Sequence, residues 1–111
     1  MIVKILLDEC LPKKLKYRIE ELDSDFIANT VPEMNWDSFP DGKLLSKAEN
    51  EFDVFITSDR NLSFQQPIQN SDIHVLLMVA STNIYEDLLP LVNKLAPIIK
   101  AHNPGQFNKI K

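Results

Sequence analysis

The chain has 111 residues, 44% hydrophobic and 25% charged, which suits one domain with its own core, residues 1–111, and is too short for two comfortable ones. Twelve Lys and Arg against sixteen Asp and Glu leave a formal net charge of -4, which excludes a protein that grips nucleic acid by bulk positive charge. Cys10 is the only cysteine, so an intrachain disulfide and a cysteine zinc site are excluded, and a reducing, cytoplasmic setting is expected.

The first apolar run, Ile2, Val3, Ile5, Leu6 and Leu7, reads as a strand covered on both faces. It is too short for a membrane span, contains Lys4, and meets Asp8 and Glu9 without a small-residue cleavage site, so neither an anchor nor a signal peptide is expected. From Leu11 the period changes. Leu11, Leu15, Ile19 and Leu22 recur at helical spacing, with Pro12 in the first turn and Lys13, Lys14, Lys16 and Arg18 turned outward. A solvated basic face is the commoner meaning of such a row, an RNA track the rarer one.

Asp23 to Asp25 make a turn, and FIANTV at 26–31 forms a second, shorter strand before Pro32. Met34 to Pro40 mix Trp36 and Phe39 with polar residues, a loop pinned by its aromatics. Asp41 to Glu51 read as a second helix whose apolar stripe is Leu44, Leu45 and Ala48. FDVFIT at 52–57 is the next strand, ending in Ser58, Asp59, Arg60 and Asn61. Pro67 among Gln65, Gln66, Gln69 and Asn70 marks a surface connection, and IHVLLMV at 73–79 is another buried strand, closed by Ser81, Thr82 and Asn83. Ile84 to Ala101 carry the last helical pattern, which Pro90 and Pro97 should kink or divide, and Asn83 with Glu86 has capping-box spacing. Pro104 and Gly105 end it, and Gln106 to Ile110 add an edge strand. With only two glycines, a glycine-rich phosphate loop is excluded.

Strands alternating with helices predict a mainly parallel central sheet with right-handed crossovers. Parallel strands end on one edge, so Asp8 and Asp59, each just past a strand, should share that edge with Ser81, Thr82 and Asn83. Asp41 stands three and four residues before Leu44 and Leu45, on the inner face of its helix start, where it either points toward the sheet or serves as an ordinary first-turn acid. Converging carboxylates repel unless a cation or shared proton intervenes. All-oxygen donors favour Mg2+ or Mn2+, and such an ion with phosphate nearby points to phosphodiester hydrolysis. Glu9 is a second ligand or a first-turn acid, and Arg60 is a phosphate contact or an ion-pair partner. Asp8 and Asp59 could equally be turn residues closing their strands. Glu33 is a weaker candidate, His74 and His102 do not look like bases, and Cys10 reads as packing.

LLDECLP at 6–12, DGKLL at 41–45 and FITSDRNL at 55–62 together resemble the small PIN-like domain family, whose motifs run LLDENLP, D-x-x-[IL]-L and L-x-T-x-D-x-[ND]-[FL]. The resemblance spans nearly the whole chain in order and spacing. It implies a compact three-layer α/β/α sandwich and an Mg2+- or Mn2+-dependent ribonuclease, often the toxin of a toxin-antitoxin pair, with Asp8, Asp41 and Asp59 as the acidic residues and Glu9 as accessory. Partners implied are an RNA substrate and a cognate antitoxin protein, with no membrane, and the family habit of dimerising suggests a homodimer. Cys10 stands where Asn is common, the branch resembled often has Asn at the position of Asp41, and Ser81 to Asn83 occupy the place of a fourth carboxylate. Two other functions compete: a PIN-like module that has lost catalysis and acts through a partner, and a phosphoacceptor receiver domain. The receiver would need a lysine after the fourth strand, where Ala80 to Asn83 offer none.

Overall fold

The apolar run after Met1 becomes β1 (Val3–Leu7), whose residues from Ile5 onward are buried on both faces, as a central strand requires. It is joined by β2 (Phe26–Thr30), β3 (Val54–Thr57), β4 (His74–Met78) and β5 (Phe107–Ile110). All pair in parallel, in the order β2-β1-β3-β4-β5. The computed structural model describes residues 1–60 and 68–111, with Asp41 and Gly42 described by their backbone alone. Asn61, Gln65, Gln66 and Pro67 therefore lie outside the described residues, and Gln69 and Asn70 fall in a single 3-10 turn, Ile68–Asn70.

Side-chain alternation builds the layers. Val3, Ile5 and Leu7 share one face with Ala28, Val54, Ile56, Leu76 and Met78, and this face is covered by α1 (Leu15–Glu20), α3 (Tyr85–Val92) and α4 (Leu95–Lys100). Leu6, Phe55 and Val75 look the other way, onto Leu44, Leu45 and Ala48 of α2 (Asp41–Ala48). The result is the expected three-layer α/β/α sandwich. Trp36 is buried in this second core and meets Phe52 edge-on, ring centroids 6.0 Å apart at 85°. The loop is thus pinned as its composition predicts, and Trp36 belongs to the core rather than to a partner surface.

Several boundaries differ from the sequence pattern, each for a local reason. Helix α1 begins at Leu15 because residues 12–14 form a turn, closed by the Leu15 N–H on the Pro12 carbonyl at 3.1 Å; Leu11 still reaches the core. The last helical stretch is two helices, but the break falls at Asn93 and Lys94, between the prolines. Pro90 is accommodated inside α3, and Pro97 lies in the first turns of α4, where fewer N–H donors are needed. The Asn83/Glu86 capping box is not used. The Thr82 hydroxyl instead closes the turn before α3, accepting the Ile84 N–H at 3.1 Å and donating to Asp87 at 2.6 Å, and no side chain caps the first helical amides.

The cations of α1 are largely committed within the chain. Arg18 bonds Tyr85 and Glu21, and Lys14 lies over the Tyr85 ring. Lys16 pairs with Glu33 at 2.9 Å, and Glu33 also accepts the Thr30 N–H at 2.9 Å, so this acid ties α1 to the end of β2 rather than serving chemistry. The Lys16 ammonium, then the Thr30 amide, hold the Glu33 carboxyl below its ordinary 4.5. A depressed carboxyl stabilises the fold above its unfolded-state value and loses that contribution as pH falls through the folded one. Because the pair is partly exposed, the contribution is about 0.5–1 kcal/mol. Urea titrations near neutral pH and in the acid range should therefore show Glu33→Gln less stable than wild type at neutral pH, the gap closing in acid. A gap that persists unchanged in acid would refute the pairing's role.

The last crossover departs from expectation. The chain moves from β1 to β2 toward one edge and from β4 to β5 toward the other, yet α1, α3 and α4 all lie on the same face. With every strand parallel, those two connections must have opposite hands. The β2–α2–β3 connection runs the opposite way on the opposite face and so shares the hand of the first. Since that hand is right-handed in nearly all such units, the β4–β5 connection is the left-handed one. Two features hold β5 in place. His74, buried in β4, accepts the Asn103 N–H on Nδ1 at 3.2 Å and places Nε2 2.7 Å from the side-chain oxygen Oδ1 of Asn108, which fixes the tautomer with its proton on Nε2. Gly105, at φ +79, packs where an added Cβ would lie 2.8 Å from the Gln69 carbonyl oxygen.

Candidate functional site

The strand order reverses between β1 and β3, and in open parallel sheets the crevice beyond the carboxyl ends at that point is where ligands bind. Asp8 and Asp59 follow these two strands. Asp8 extends the ladder by one bond, its N–H meeting the Ile56 carbonyl at 2.9 Å, and its side chain is only 8% exposed. Both carboxylate oxygens are oriented by donors: Oδ1 accepts the Glu9 N–H at 2.8 Å and Oδ2 accepts the Thr57 hydroxyl at 2.7 Å. The same hydroxyl accepts the Asp59 N–H at 3.1 Å. One fully buried threonine thus joins the carboxylate after β1 to the backbone of the acid after β3.

Alternation explains the alignment. Leu6 and Phe55 face α2, so Asp8 and Thr57, two residues further along each strand, lean to that same face. Helix α2 returns the chain from the end of β2 to the start of β3, so its first residue, Asp41, stands at the carboxyl edge on that face. The Asp41 side chain, and with it the expected third carboxylate, lies outside the described residues.

The remaining candidates separate into two groups. Asp59, Arg60, Ser81, Thr82 and Asn83 line one cavity of about 340 Å³ together with Cys10, so the β3 and β4 ends do converge. Arg60 holds them together, donating from Nη2 to the Ala80 carbonyl at 2.5 Å. Thr82 is occupied in the turn before α3, bonded to Ile84 and Asp87. Glu9, in contrast, is exposed and lines a separate depression with Asp8, Lys13 and Glu33 on the β2 side. It contributes its N–H to Asp8 and does not join Asp59.

Two side chains gain a place that the sequence reading withheld. Thr57 stands within the motif, and its spacing of two from Asp59 was the available signal, but only the pairing of β1 with β3 shows that its hydroxyl meets Asp8. Cys10 is half-buried against the larger core, as its reading as packing expects, and its Sγ also lies 3.6 Å from Asp8 Oδ2 and 3.3 Å from Ser58 Oγ. His74 is structural, as expected. Among the described residues, no three His, Cys, Asp or Glu side chains gather as a metal set. The donors present, the Asp8 carboxylate, Asp59 and neighbouring hydroxyls, are hard oxygens of the kind a small divalent cation takes, and suit Mg2+ or Mn2+ better than zinc.

No protein-family model matches the chain, and no curated protein or solved structure matches it significantly. No helix among the described residues is long and apolar enough to cross a membrane.

Proposed function

We propose that this protein is an Mg2+- or Mn2+-dependent endoribonuclease of PIN-like type, acting in the cytoplasm as the toxin of a toxin-antitoxin pair. The observation that carries the reading is the Thr57 hydroxyl joining Asp8 to the Asp59 loop at the switch point of a parallel sheet. It is supported by the LLDECLP, DGKLL and FITSDRNL segments, whose acids all fall at one edge of the sheet. In this reading Asp8 and Asp59 hold the ion and Asp41 completes the set from the start of α2. When bound, the ion supplies an activated water and neutralises the leaving oxygen of an RNA phosphodiester. Thr57 orients Asp8, the Glu9 amide fixes its other oxygen, and Arg60 lies beside Asp59 to meet phosphate. An antitoxin protein would restrain the activity, and a homodimer is the proposed assembly.

The test is metal-dependent cleavage of RNA together with calorimetric titration of Mn2+. Cleavage that EDTA abolishes and Mn2+ restores is expected, and a protein that neither binds the ion nor cuts RNA would sink the proposal. A second reading draws on Ser81, Thr82 and Asn83, which stand where a fourth carboxylate would. It is a PIN-like binding module that acts through its partner without cutting RNA, and an inert protein that still captured its partner would favour it.

A further inference from the structure

The left-handed return to β5 has a spatial consequence. Because α3 and α4 cross on the α1 side, the other face of β4 and β5 has no helix of theirs upon it. A groove of about 330 Å³ lies there, lined by Asp59, Arg60, Leu77, Phe107, Lys109 and Lys111 among others. The register explains its composition: Phe107 is level with Val75 and Lys109 with Leu77, so alternate residues of β5 all point to this face. Phe107 is 42% exposed, and Arg60, Lys109 and Lys111 are exposed as well. None of the three cations forms an ion pair with a described residue.

In a chain of net charge -4, a furrow lined by Arg60, Lys109, Lys111 and an exposed aromatic ring, and reaching Asp59, is a local reversal of sign. We infer that this β4–β5 groove is the track for a single RNA strand leading into the carboxylate site. This deepens the nuclease reading and rests on it. Lys109 and Lys111 lie on one face about 6.6 Å apart along the strand, two residue rises, suited to successive phosphates. Phe107 offers a stacking platform that any unpaired base can use. A groove at the low end of ligand-pocket volumes, about 300 Å³ and upward, accepts a nucleotide and excludes a helix. An acidic peptide would satisfy the cations but leaves the exposed ring beside the lysines without a purpose, so RNA is the occupant favoured here.

The experiment is fluorescence anisotropy with a labelled 12-nucleotide single-stranded RNA in EDTA, over a series of salt concentrations, beside a cleavage assay in Mn2+. The double change Lys109→Ala/Lys111→Ala is expected to weaken binding about 10-fold and to flatten the slope of log affinity against log salt by about 1.4. Phe107→Ala is expected to weaken binding by at least about 5-fold. All three positions are exposed, so circular dichroism melts should match wild type. Binding and salt slope unchanged in both variants would overturn the inference, whether or not the protein cuts RNA. Loss of a labelled poly-glutamate peptide, with RNA binding untouched, would overturn it in favour of an acidic partner. Groove-dependent RNA binding without cleavage in Mn2+ would uphold the track and defeat the nuclease reading.

Discussion

Asp8→Asn is expected to reduce Mn2+-dependent RNA cleavage by at least about 100-fold while leaving the fold in place. The change is isosteric and removes only the charge. Oδ1 can still accept the Glu9 N–H, and the Thr57 hydroxyl can turn to accept from the new amide, so little packing is lost. What disappears is a buried anionic oxygen at the switch point, the ligand a divalent ion would need most. Thr57→Val provides the graded comparison. It keeps the shape but removes the hydroxyl that orients Asp8, which for partners of this kind costs about 10- to 100-fold in metal affinity or activity. It also leaves the Asp59 N–H without this acceptor, at about 1–3 kcal/mol if that amide stays dry. Thr57→Ser should restore both, since the hydroxyl is what matters. Metal-dependent turnover in Asp8→Asn at the wild-type rate would remove Asp8 from the site.

The second large effect concerns stability. Phe55→Ala should destabilise the protein by about 3–5 kcal/mol, a large share of the roughly 5–15 kcal/mol available to a domain of this kind. Phe55 is 2% exposed in the middle of β3 and belongs to the smaller core, with Trp36, Leu45 and Ala48. Truncation there opens a cavity under α2, on the helix that carries Asp41 to the edge. Denaturant melts should show the full loss, and hydrogen exchange should show α2 opening before the β1–β3 pair. A loss below about 1 kcal/mol would mean that α2 is not held by this core.

Most of the architecture was legible because the signals are local. IVKILL, VFIT and HVLLM are largely apolar, the first broken only by the exposed Lys4, which suits a strand covered twice, and polar residues close the runs at Asp8, Ser58 and Ser81. The division of the last helical stretch was legible in Pro90 and Pro97, yet the break came at Asn93: Pro97 stands in the first turn of α4, where it removes no needed donor, and α3 runs through Pro90. The Asn83/Glu86 spacing suggested a cap, but the backbone path starts α3 after Ile84 without one, and Thr82 closes the turn before it. The basic row of α1 gave no hint of its partners, because Glu33 and Tyr85 lie far along the chain from Lys16 and Arg18.

For the site, the amino-acid sequence by itself determined which residues end strands: Asp8 after β1, Asp59 after β3, and Asp41 at the start of a helix. A strand's carboxyl end is a local property, written in where an apolar run stops. Which ends become neighbours is not local, and only the tertiary structure decided it. Pairing β1 with β3 set Asp8 against Thr57, whose hydroxyl also takes the Asp59 N–H, and left Glu9 on the β2 side. The hand of the β4–β5 connection likewise has no local signature, since either hand satisfies the same apolar pattern. Among the described residues it left no α-helix over one face of β5, and so turned Phe107, Lys109 and Lys111 from an edge strand's outward residues into the wall of a groove that reaches Asp59.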